Sequence, residues 1–165
     1  MLRIIHSDEG LTTKDPDIPS VFLAGPSPRG RGAGFPDDWR DEAFQYFQND
    51  YLFNKIDGQL FVPRPTTGNA PSYDGQIEWE LHHLSMADVI MFWVPRKAPD
   101  MMGLTTNVEF GFTVKTGRIV YGRPDGALQT RYLDHLYKKF KGKDPKTTLE
   151  ETAQAAMTMA IANLI

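Results

Sequence analysis

Short apolar runs alternate along this chain with longer segments whose apolar residues recur at helical spacing, the pattern of a parallel sheet with crossover helices. Five runs read as strands: Arg3-Ile4-Ile5, Val21 to Gly25, Leu60 to Pro63, Val89 to Trp93 and Ile119 to Tyr121. A polar, proline-marked loop from Glu9 to Pro19 follows the first. Asp37 or Asp38 can cap a helix running to Phe47, with Ala43, Phe44 and Phe47 at core spacing. Asp74 to Ala87 reads as a second helix with Ile77, Leu81 and Leu84 toward the core. Thr106 to Thr116 reads as a third, ended by Gly117. Leu128 to Tyr137 and Thr148 to Leu164 complete the set, the last with Ala156, Met159 and Ala160 on one side. Every connection is long enough for a crossover. The expected fold is α/β, a flavodoxin-like three-layer sandwich with a five-stranded, mostly parallel sheet in one domain over residues 1–165.

Composition narrows the partners. The 165 residues are 41% apolar and 12% aromatic, enough for one core. Eighteen basic against 21 acidic residues leave a net charge of −3, so no uniform basic field awaits a nucleic acid polymer or an anionic membrane, and small molecules are the expected partners. The absence of cysteine excludes disulfides, thiolate nucleophiles and zinc–thiolate sites. Met1 to Gly10 has polar breaks where a signal peptide needs an apolar core, and no apolar run approaches the ~20 residues of a membrane span. The expected location is cytoplasmic. His82 and His83 diverge by about 100° on a helix and lack the HExxH spacing, so neither a metal nor another cofactor is expected.

Three loops leave the carboxyl ends of strands, the edge where open α/β sheets gather ligands. The first, from Gly25 through Pro26, Ser27, Arg29 and Arg31 to Gly34, joins glycines that admit an anion to backbone amides with two guanidiniums suited to phosphate or carboxylate. A solvated surface loop is its bland alternative. The second, Arg64 to Tyr73, leads into Asp74 to Glu80, where Glu78 and Glu80 point to different helix faces and Glu80 can lean over the sheet edge. The third runs from Thr105 through Thr106, Asn107 and Glu109 to Gly111. A carboxylate in the first turn of a helix is held ionised by the dipole, as a covalent glycosyl mechanism requires of its nucleophile. Thr106-x-x-Glu109 also matches a capping box, which would account for both residues without chemistry. Trp79 and Trp93 can stack on a nucleobase or fill the core.

These segments resemble the nucleoside 2-deoxyribosyltransferase-like family, relatives of the nucleoside deoxyribosyltransferases and of the 2′-deoxynucleoside 5′-monophosphate N-glycosidases. The likeness is carried by Val21 to Pro26, Gln76 to Glu80, Ala87 to Pro95 and Thr105 to Gly111, and extends through Arg131-Tyr132-Leu133 and Thr148 to Thr152. The resemblance implies a parallel-sheet fold and a glutamate nucleophile at Glu109. It further implies a second carboxylate eight residues before Asp88, which is Glu80, where better-known relatives carry an aspartate. Asp88 itself is expected to be structural. The implied chemistry is cleavage or transfer of the N-glycosidic bond of a deoxynucleoside or its monophosphate, with Gly25, Pro26, Ser27, Arg29, Arg31, Trp93, Thr106 and Asn107 as substrate contacts. A nucleotide-binding sensor of the same fold is the alternative. The chain departs from the family at Phe22, where a tyrosine supports the nucleophile, at Gly103, and after the third strand, where Thr66 or Thr67 replaces a glutamine. A homo-oligomer is implied, with Met101, Met102 and the terminal helix as candidate contacts.

Overall fold

The computed structural model describes residues 1–66 and 71–164. Five strands, β1 (Arg3–His6), β2 (Ser20–Ala24), β3 (Gln59–Val62), β4 (Val89–Trp93) and β5 (Ile119–Gly122), form one sheet in the order β1-β3-β2-β4-β5. Every neighbouring pair is parallel, with Phe22 opposite both Phe61 and Ile90, so the sheet is wholly rather than mostly parallel. The chain steps from β2 to β3 on one side and then crosses to β4 on the other. That reversal opens a crevice at the carboxyl ends of β2 and β4.

Among the described residues six α-helices cover the two faces: α1 (Trp39–Asn49), α2 (Tyr51–Lys55), α3 (Tyr73–Met86), α4 (Leu104–Thr113), α5 (Arg131–Lys141) and α6 (Leu149–Ala162). Because side chains alternate along a strand, Val21, Leu23, Val89, Met91 and Trp93 pack against α1 and α6. Phe22, Ala24, Ile90 and Phe92 pack against α3, α4 and α5. Burial on both faces is why the strands read as continuous apolar runs. Asp38 caps α1 by accepting from Arg40 N, and Asp50 starts the short α2, which the sequence pattern did not reveal. Gly117 ends the 3-10 turn Val114–Thr116 that follows α4 in a left-handed conformation, as expected.

Two expectations need correction. In α3, Ile77 and Leu81 are exposed, whereas Trp79, His83 and Leu84 form the buried face. The loop after β1 sets that phase: Trp79 Nε1 donates to Gly10 O, and the His83 ring stacks on Trp79 and pairs with Thr12 Oγ1. The fifth helix begins at Arg131 rather than Leu128, because Leu128 N and Gln129 O are both engaged by Arg96. Asp88 is structural, accepting from Ser20 N and Oγ and pairing with Lys14. Among the described residues no helix is long and apolar enough to cross a membrane.

Candidate active site

The site begins at the start of α4. Gly103 is its N-cap, at φ +59°, and a Cβ there would lie 2.5 Å from the Cβ of Pro26. Glycine therefore lets the β4–α4 loop close against the β2–α1 loop. No side chain caps the helix, so the capping box is absent and Glu109 stands in the second turn, not the first. With capping removed, the surroundings of Glu109 have to explain it.

Glu109 shares a cavity of about 230 Å³ with Glu80 of α3, and Ser27, Arg40, Gln76 and Thr106 contribute to its walls. Gln76 Nε2 donates to Glu80 Oε1 at 2.8 Å and to Pro63 O at 3.3 Å, fixing the acid between helix and strand end. Glu109 has no hydrogen-bond or ion-pair partner for its carboxyl among the described residues; its backbone carbonyl accepts from Thr113 Oγ1. Burial pushes the Glu109 carboxyl up to about 8; Glu80 adds to the rise and Arg40 opposes it. Burial also raises Glu80, against the Gln76 hydrogen bond and Arg40. The dipole expectation is thus reversed. Past the first turn the helix field fades, and desolvation by the packed walls wins.

Two facing carboxyls that resist ionisation titrate as a pair. Burial opposes charge on both acids, and Glu80 adds to the rise of Glu109, so the second negative charge of the pair is the harder one to form. One acid can then attack or stabilise a cation while the other gives a proton, the division of labour seen wherever two carboxyls work on one bond.

Of the expected contacts, Gly25, Pro26, Ser27 and Thr106 join Glu80 and Glu109 around this cavity. Gly25, at φ +149°, has no room for a Cβ, which would fall 2.1 Å from Trp93 O. Arg29 and Arg31 lie outside it. They line a larger cavity of about 650 Å³ that shares Ser27 and is walled also by Arg64, Phe44 and Thr66. Asn107 turns away, accepting from Arg96 Nη2 at 2.7 Å, and Trp93 is buried on the α1 and α6 face of the sheet. Neither lines the cavity of the two glutamates. Phe22 fills core beside Trp79, with ring centroids 6.1 Å apart, and brings no hydroxyl to the site. Thr66 is tied to Asp8, and Thr67 lies outside the described residues. Met101 is buried and so is not a free surface contact.

Sequence reasoning missed Arg40 and the part played by Gln76. Arg40 precedes Ala43 and Phe47 by three and seven residues, so it falls on the inward stripe of α1, and a charge on a buried stripe was the available signal.

Residues 18–127 match the family model described as nucleoside 2-deoxyribosyltransferase like. The chain belongs to that family. The matched stretch holds β2 through β5, both glutamates, Arg40 and the arginine loop; β1, α5 and α6 lie outside it. No match is found among the curated proteins.

Proposed function

We propose that this protein cleaves or exchanges the N-glycosidic bond of a 2′-deoxynucleoside or its 5′-monophosphate through a covalent glycosyl–glutamate intermediate. The carrying observation is the convergence of Glu80 and Glu109, from successive crossover helices, on one cavity at the switch point of the sheet. Burial favours the proton on Glu109, so the reactive form is the one in which that proton has passed to Glu80; from it the Glu109 carboxylate attacks the anomeric carbon while the bond to the base breaks. The bonding electrons leave with the base, which takes the proton from Glu80. Water or an acceptor base, giving its proton to Glu80, then attacks the same carbon and frees the Glu109 carboxylate. Two inversions give net retention. A 2′-deoxy sugar suits this route because its cationic transition state lacks an electron-withdrawing 2′-oxygen. The arginine-lined cavity next door, joined through Ser27, favours a substrate with a 5′-phosphate.

A homo-oligomer is part of the same reading. Leu104, Val108 and Phe112 form a stripe on α4 that is 70–76% exposed, and on α3 Leu81 is exposed together with Ile77, which lines the cavity. Replacing Val108 and Phe112 by glutamate should lower the mass measured by light scattering if copies meet there.

The deciding experiment combines a panel of deoxynucleosides and deoxynucleotides, with and without acceptor base, with trapping by a 2-fluoro sugar analogue. Labelled Glu109 and released base are expected. Binding without either would leave a nucleotide sensor of the same fold in place of an enzyme.

A further inference from the structure

Arg40 is the most deeply buried cation near the site, 1% exposed, on the first turn of α1. Its guanidinium donates to Leu23 O at 3.2 Å, Gly25 O at 2.8 Å, Ser27 Oγ at 3.1 Å and Asp38 Oδ1 at 3.2 Å, and lies over the Trp39 ring. Three of the four acceptors are neutral, so they fix its position without cancelling its charge. Asp38 is the single carboxylate among them and is shared: its other oxygen pairs with Arg64 at 2.8 Å, and Arg64 reaches on to Asp41 at 2.6 Å. Burial works to raise Asp38, but Arg40 and Arg64 outweigh it and keep the carboxyl below its ordinary value. Charges therefore alternate along a line, Asp41, Arg64, Asp38, Arg40, and the line ends at the cavity wall facing Glu80 and Glu109. The cation at the end of that row favours negative charge on the acids opposite, against the burial that disfavours it.

We propose that Arg40 is a positioning residue, the inner end of this charge row, which holds the Glu80–Glu109 pair at a single negative charge. The inference deepens the glycosidic reading and rests on it for its consequence in turnover. The charge setting itself concerns only the folded protein. The charged groups that face Glu109 are Glu80 from α3 and Arg40 from α1, with the Tyr73 phenol at the cavity rim.

The test uses the full chain with Arg40→Met, Arg40→Lys and Asp38→Asn, asparagine being a good helix cap in its own right. Two quantities are read: the titration of the ¹³C-labelled Glu109 carboxyl without substrate, and the pH profile of base release. In Arg40→Met the Glu109 midpoint should rise by about one pH unit or more, and both limbs of the rate profile should move up with it. The rate near pH 6.5 should fall about tenfold through kcat at little-changed KM. Arg40→Lys should restore both limbs, and Asp38→Asn, which frees more of the Arg40 charge, should move Glu109 the opposite way. A folded Arg40→Met protein with Glu109 unmoved, or lower activity with both limbs in place, overturns the proposal and leaves Arg40 a structural cation. If Arg40→Met does not fold, an unmoved Glu109 in Asp38→Asn overturns it equally. Should the unaltered protein release no base while these titrations shift as stated, the glycosidic reading fails and the charge setting stands.

Discussion

Two carboxyls at the carboxyl edge of the same sheet meet opposite treatment. Asp134 on α5 accepts from Arg123 Nε at 3.0 Å, from Arg123 Nη2 at 2.8 Å and from the Tyr121 hydroxyl at 2.8 Å. The pairing holds the Arg123 guanidinium more firmly protonated than usual, while burial and then Asp134 push the Tyr121 phenol well up. Glu109 on α4, packed on the same face, has its charge opposed by burial and by Glu80 and eased only by Arg40. A satisfied charge stitches β5 to α5. An unsatisfied one costs stability and persists where chemistry uses it.

The largest expected break of this contrast is Glu109→Gln. Turnover should drop by at least about 10³-fold, because the amide cannot form the glycosyl ester. Stability should move the other way. In the folded chain Glu109 titrates at about 8 against 4.5 for the ordinary carboxyl, so its favourable contribution is complete below about 4.5 and is lost as pH rises through about 8. The amide has no such loss. Melting curves should therefore coincide at pH 4 and separate at pH 8, with the variant ahead by on the order of 1 kcal/mol or more. A variant less stable than the parent at pH 8 would mean that the carboxylate is satisfied after all.

Next in size is Glu80→Gln. Loss of the proton donor should lower base release by about 10²- to 10⁴-fold, with the smallest deficit for bases that leave easily as anions. Removing Glu80 also removes one of the two causes that raise Glu109, so the Glu109 titration should move below 8. An unmoved titration would place the two acids out of electrostatic reach. Asp134→Asn is the mirror image: about 1–3 kcal/mol of stability lost in urea unfolding, and turnover within about threefold of the parent. A larger loss of turnover would bring the Asp134 cluster into the site.

The asymmetry also explains what the sequence disclosed. All five strands were legible to within a residue or two at each end because a parallel sheet is buried on both faces, and its strands stand out as unbroken apolar runs. The longer helices were equally plain, but the short α2 and the phase of α3 were not. Ile77 and Leu81 have the right spacing for a core stripe, and only the Gly10 and Thr12 contacts of the β1–β2 loop decide that Trp79 and His83 turn inward. Glu109 and Glu80 were candidates from their places beside the sheet edge and gained catalytic roles only through family likeness, while the capping box offered an equal account of Glu109 until Gly103 was seen to be the cap. Arg40 escaped notice because a cation on an inward stripe has meaning only once the strand-end carbonyls of Leu23 and Gly25 are known to meet it. Trp93 and Asn107 are beside the right loops in sequence, yet strand alternation sends one to the far face and Arg96 draws the other away.

The smallest expected effect separates substrates rather than abolishing reaction. Arg29 and Arg31 are exposed on the rim of the larger cavity, whereas Arg64 in the same wall is already committed to Asp38 and Asp41. An incoming phosphate would therefore be met by the first two, with solvent still present, and each exposed contact should be weak and salt-dependent. Replacing both by alanine should raise KM for a deoxynucleoside 5′-monophosphate by about three- to tenfold at low salt, leave KM for the free nucleoside unchanged, and leave kcat unchanged for both. The difference between the substrates should shrink as salt is added. Equal kinetics for the two substrates in the unaltered protein would instead make the arginine loop a solvated surface, and the contrast between satisfied and unsatisfied charge would then be confined to the carboxyls.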